Sequence, residues 1–107
     1  MRKYRTFSEV TEEHYRNHPE EIDDFLKIAF EEYAKDNDTG ALLSALRIIS
    51  RVKGVSATAN AAGITRKGLQ KALSEQGNPR FENINAIMQA LGYYLAPHKI
   101  DHKLDHP

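Results

Sequence analysis

A chain of 107 residues, 40% of them hydrophobic, supports one small domain and leaves no room for a second full one. Fifteen basic residues balance fifteen acidic ones, and the absence of cysteine excludes disulfides, thiolate nucleophiles and thiolate zinc sites while fitting a reducing cytosol. No apolar run approaches the roughly 20 residues of a membrane span, and the opening MRKYRTFSEV lacks a secretory apolar block, so a cytoplasmic protein without membrane association is expected.

Residues 1 to 7 are basic and aromatic without a helical period and read as an arm or extended segment. A short helix is predicted from Ser8, a capping residue, to about Asn17, with Glu9 and Glu12 near the positive end of its dipole. From Pro19 the pattern becomes clearly amphipathic: Ile22, Phe25, Leu26, Ala29, Phe30 and Tyr33 share one stripe until DNDTG, at 36 to 40, breaks it. Thr39 is the expected cap of a third helix, which carries Leu42, Leu43, Leu46, Ile49 and Val52 and ends at Gly54.

Residues 56 to 74, SATANAAGITRKGLQKALS, read as two short helices hinged at Gly63, the sequence form of a helix-turn-helix. Ser56 can cap the first of them, whose alanines permit close packing. Gly63 tolerates the left-handed conformation of a tight turn, and Ile64 can drop into the core below it. Thr65 caps the second helix; Leu69, Ala72 and Leu73 fall on its inner face, and Arg66, Lys67, Gln70 and Lys71 project outward. After a stop at Gly77, Asn78 and Pro79, Phe81 begins a last amphipathic helix with Ile84, Ile87, Met88 and Leu91, ending at Gly92. Tyr93 to Ala96 are β-prone, a candidate short C-terminal strand able to pair across a dimer. The expectation is an all-α domain of five to six helices over residues 1–97, with 98–107 as a flexible tail.

Charge is segregated along this frame. From Ser8 to Gly40 there are eleven acidic residues against three basic, whereas from Lys53 to Arg80 there are five basic against one acidic. The basic segment coincides with the helix-turn-helix, and the acidic half is either a solvated face or a face for a basic partner.

If the second helix enters a major groove, Thr65, Arg66, Lys67 and Gln70 are the candidates for base edges, since Arg or Lys suits guanine and Gln suits adenine. Ser56, Thr58, Lys71, Asn78 and Arg80 are placed for phosphates, where hydroxyls, amides and cations fix register without reading sequence. Simpler roles stand beside these: Ser56 and Thr65 as caps alone, and Asn78 as a residue that closes the turn. One helix-turn-helix buries limited surface, so specific binding to double-stranded operator DNA favours a homodimer with two copies spaced by about one DNA turn.

The stretch GITRKGLQKALSEQGNPRFENINAIMQALG resembles the helix-turn-helix of the addiction-module antidote proteins, a branch of the HigA-like antitoxins within the lambda-repressor-like fold. The likeness rests on Gly63, Ile64 and Thr65, on Ala72 to Glu75, on Gly77 to Phe81, and on Leu91 with Gly92; it covers roughly residues 5 to 96, and GNPRF is its most specific element. The resemblance implies a dimeric autorepressor of its own operon that also neutralises a basic toxin of the RelE/HigB type, which cleaves messenger RNA. Two positions depart from the family pattern. Thr58 stands where a core-facing leucine is usual, and Gly68 lies inside the recognition helix, where Gly costs about 1 kcal/mol relative to Ala. Gly68 therefore either loosens that helix until DNA holds it or lets backbone approach the DNA closely.

Other classes have less to stand on. Five histidines and fifteen carboxylates form no recognisable catalytic or metal constellation, so no enzyme and no cofactor are expected. His98, His102 and His106 recur every four residues, but their charged, Pro-flanked setting reads as tail. The remaining alternatives are a solitary phage-type or bacterial regulator without a toxin, and a helical interaction module that works through residues 19 to 36.

Overall fold

The computed structural model describes residues 6–100, and within them the chain is all-helical: six α-helices, one 3-10 turn and no strand. α1 spans Phe7–Asn17, α2 Ile22–Asp36, α3 Thr39–Lys53, α4 Val55–Ala62, α5 Arg66–Ala72 and α6 Phe81–Leu91. No helix among the described residues is long and apolar enough to cross a membrane. Of the arm expected over residues 1 to 7, residues 1 to 5 lie outside the described residues, as do the histidines at 102 and 106, while Thr6 and Phe7 are the cap and first residue of α1.

Local chemistry sets the helix ends, in several places one to three residues from where the sequence pattern puts them. α1 starts at Phe7 because Thr6, not Ser8, is its cap: the Glu9 amide donates to Thr6 Oγ1 at 3.0 Å, and the Thr6 amide donates to Glu9 Oε1 at 2.8 Å. Pro19 opens a 3-10 turn, Pro19–Glu21, and the α-helical hydrogen bonding of α2 begins only at Ile22. From α1, His14 Nε2 donates to Glu21 Oε1 of that turn at 2.8 Å, a bond that holds the Glu21 carboxyl below its usual range. Asn37, left-handed at φ 56°, stops α2, and the Asp38 carboxylate, rather than Thr39, caps α3 by accepting from the Ala41 amide at 3.0 Å.

α3 is the centre of the molecule. Leu42, Leu43, Ala45, Leu46, Ile48 and Ile49 are all buried, which for a helix this apolar means packing on more than one side. α1 and α2 lie against it from the N-terminal half, contributing Ile22 and Leu26, while α4 follows it and carries α5 and α6. Leu69, Leu73, Ile87 and Leu91 complete the core from the C-terminal half, each burial contributing about 1.5–3 kcal/mol relative to exposure. One buried carboxylate fastens α1 to α3: Glu12 of α1 accepts from Arg51 of α3 at 3.1 Å and pairs with Arg16 at 3.6 Å.

The segment after α6 corrects the expectation of a terminal strand. Tyr93 to Ala96 do alternate, with Tyr93 and Leu95 packed on the core and Tyr94 exposed, but no neighbouring strand offers a ladder. Hydrogen bonding goes elsewhere. Gly92, at φ 100°, closes α6, and the Tyr93 amide donates back to the Met88 carbonyl at 2.9 Å. The Tyr93 hydroxyl donates to the Asp23 carboxylate of α2, and Lys53 Nζ donates to the Leu91 carbonyl at 2.9 Å with the Tyr93 ring 5.5 Å away. Burial, then the neighbouring Asp23 carboxylate, pushes the Tyr93 phenol up to about 12.

Candidate nucleic-acid interface

The α4–turn–α5 unit forms as its residue types require. Gly63 takes a left-handed conformation at φ 75°, its amide bonding to the Asn60 carbonyl at 3.1 Å, and the Ile64 amide reaches back to the Ala59 carbonyl at 3.0 Å. Three residues, Gly63, Ile64 and Thr65, thereby join α4 to α5, with Ile64 packed against the core. Thr65, extended at φ −75° and ψ 157°, caps α5 by accepting from the Gly68 amide at 2.9 Å. Gly68 is thus the third residue of α5. A Cβ there would sit 3.0 Å from Thr65 Oγ1, so the missing side chain gives the cap its room, a third role beside the two weighed from sequence.

Leu69 and Leu73 are each 1% exposed and anchor α5 from below, which fixes the helix rotation and turns Arg66, Lys67, Gln70 and Lys71 to solvent. Lys67 and Lys71 have no ion-pair partner among the described residues. Arg66 spans the turn instead, donating to Ser56 Oγ at 3.0 Å and tying the start of α5 to the start of α4. Ser56 accordingly does not cap α4: Gly54 occupies the cap position, and Ser56 stands exposed in the first turn.

Thr58 does not share this surface. It is 3% exposed and faces inward beside Ala59, so it cannot reach a phosphate without unpacking α4. Asn78 and Arg80 are exposed in the loop before α6; Arg80 pairs with Glu82 at 3.6 Å with both side chains mostly in water, where such a pair is worth little. The loop reaches that position through Gly77, whose absent Cβ would lie 2.3 Å from the Ala72 carbonyl oxygen. GNPRF therefore begins with a residue that only glycine can be. The structure brings together Ser56, Thr65, Arg66, Lys67, Gln70 and Lys71 around the turn, sets Asn78 and Arg80 on the following loop, and buries Thr58.

Sequence reasoning overlooked the cleft behind α5, about 330 Å³ in volume and lined by Arg47, Arg51, Gln70, Ser74 and Glu75 among others. Arg47 donates to the Leu73 carbonyl at the end of α5 and so braces α5 from α3. The signal was present as Arg47 and Arg51, four residues apart and the only charged residues of α3 before Lys53.

Three comparisons place the chain among known proteins. Residues 6–99 match a family model described as "probable addiction module antidote protein". A Haemophilus influenzae (strain Rd) protein, described only as uncharacterized, is 39% identical over 66 residues, 62% of this chain and 68% of that one. No solved structure matches. The matched span runs from the cap of α1 past α6 and through the described helices, so the chain belongs to the family of probable addiction module antidote proteins.

Proposed function

We propose that this antitoxin of a toxin–antitoxin pair is of the HigA-like branch, with a lambda-repressor-like helix-turn-helix, and that it binds a palindromic operator in its own operon as a homodimer. The observation that carries the reading is the solvent face of α5. Arg66, Lys67, Gln70 and Lys71 stand exposed over buried Leu69 and Leu73, and no acidic residue lies between them. Thr65, Arg66, Lys67 and Gln70 read base edges, and Ser56, Lys71, Asn78 and Arg80 hold phosphates. The protein performs no chemical step of its own in this role. Its toxin partner is a basic, mRNA-cleaving protein of the RelE/HigB type, and the surface offered to it is that of α1 and α2, where eleven acidic residues stand against three basic between Ser8 and Gly40.

The test is a mobility-shift titration of the purified chain with the DNA upstream of its own gene at several salt concentrations. Retardation at low salt that falls steeply as salt rises supports the reading, because each neutralised phosphate releases counterion. No shift at low salt would overturn it.

A further inference from the structure

Away from the helix-turn-helix, the junction of α1 and α2 gathers four side chains that ligate metals. His14 and His18 are one helical turn apart, with ring centroids 4.7 Å from each other. The 3-10 turn that begins at Pro19 folds the chain back so that Glu20 and Glu21 meet those imidazoles. Glu21 bridges them: one oxygen lies 2.8 Å from His14 Nε2 and the other 4.0 Å from His18 Nδ1, while Glu20 Oε2 lies 3.4 Å from His18 Nδ1. One ligand atom each from His18, Glu20 and Glu21 sits within 4.8 Å of the others.

We propose that His14, His18, Glu20 and Glu21 form a surface site for a divalent transition-metal ion, with Zn²⁺ as the best fit. Nitrogen and oxygen ligands about 2.0–2.2 Å from a tetrahedral ion stand roughly 3.3 Å apart. The separations of 2.8, 3.4 and 4.0 Å in three of the ligand pairs bracket that value; His18, Glu20 and Glu21 already lie together, and His14, bonded to Glu21, joins them by side-chain rotation. Two imidazoles favour Zn²⁺, Ni²⁺ or Cu²⁺ over Mg²⁺ and Ca²⁺, and two carboxylates neutralise the ion's charge. Each side chain is about half exposed or more, which gives the ion an open path in and sets the affinity below that of an enclosed structural site. Occupancy clamps the last turn of α1 to the entry of α2 and leaves the α5 surface untouched, so this site stands or falls independently of DNA binding.

The experiment uses the full chain without an affinity tag, stripped by chelator and titrated with ZnCl₂ in a calorimeter, with thermal melts alongside. One Zn²⁺ bound per chain and a raised Tm are expected. A His14→Ala/His18→Ala variant should lose at least about tenfold in affinity, and a His98→Ala/His102→Ala/His106→Ala variant should keep it. Glu20→Gln/Glu21→Gln, which preserves size and both histidines, should weaken binding similarly if folding suffers in the alanine pair. Zinc binding unchanged in the first and third variants, or lost with the tail histidines, would overturn the assignment. So would NMR signals of His14 and His18 that stay put on zinc addition, or Mg²⁺ competing on equal terms.

Discussion

Arg66 performs two tasks with one guanidinium. It donates to Ser56 across the turn, and it is the first outward-facing cation of α5. Replacing it with Ala should cost about 1 to 3 kcal/mol of operator binding and relax preference at one base pair if it reads an edge. A loss spread evenly over all sequences would assign it to phosphate instead, and a titration against operators randomised one position at a time separates the two. Gly77 shows a harder constraint. A methyl there meets the Ala72 and Lys71 carbonyl oxygens at 2.3 and 2.9 Å, both backbone atoms that cannot rotate away. Gly77→Ala should therefore destabilise the fold by about 1–3 kcal/mol, read from the urea midpoint at unchanged m value.

Helix existence was legible because apolar period alone decides it: the stripe from Ile22 to Tyr33 and that from Leu42 to Val52 form the helices their spacing predicts. Helix ends were less so. Thr6 and Ser8, or Asp38 and Thr39, are chemically interchangeable caps, and only the backbone angles of the real turn choose between them. The terminal strand does not form within the single chain for a related reason, since Tyr93 to Ala96 have the residue types of a strand but no neighbouring strand lies beside them among the described residues. Thr58 reads both ways from sequence, as a phosphate contact from its hydroxyl and as a core-facing position from the family resemblance, because its inward direction depends on how α4 packs against α6. The cation ring around the turn was legible, as Leu69 and Leu73 set its rotation from within the same helix.

Two contacts between elements can be tested separately. Glu12 is the only charged residue in the buried set of the described residues, and its bond to Arg51 joins α1 to α3. Glu12→Ala leaves Arg51 able to reach water, being 45% exposed, so the loss should be about 1–2 kcal/mol rather than the 3–5 of a fully buried pair. Chemical denaturation of the single and Glu12→Ala/Arg51→Ala variants measures the coupling. Tyr93 fastens the C-terminal end to α2 through its protonated hydroxyl, and the phenol is raised in the folded state from 10.0 to about 12. A raised folded value means the stabilisation is fully present below about 10 and is lost as pH rises through about 12. Tyr93→Phe should lower stability at neutral pH and flatten its decline between those limits; an alkaline stability profile as steep as the parent's would remove Tyr93 from the account.

At the scale of the whole molecule, charge that sums to zero is spread over a body 51 Å long, with the acidic helices and the basic turn on different elements. Net charge therefore gives no general attraction to DNA, and the proposed operator binding rests on the few cations around α5. Arg66, Lys67, Lys71 and Arg80 number four per protomer. A dimer with all of them on phosphates or base edges would show a log–log salt slope of magnitude no greater than about 7, and a single protomer about half that. Spacing gives the sharper test, because two rigid copies can engage one face of a duplex only when their half-sites lie about one helical turn apart. Inserting about five base pairs between the half-sites rotates the second site to the far side of the DNA, and affinity should fall at least tenfold, with the salt slope dropping to the single-protomer value. If neither quantity changes, each protomer binds alone and the dimer contributes nothing to recognition.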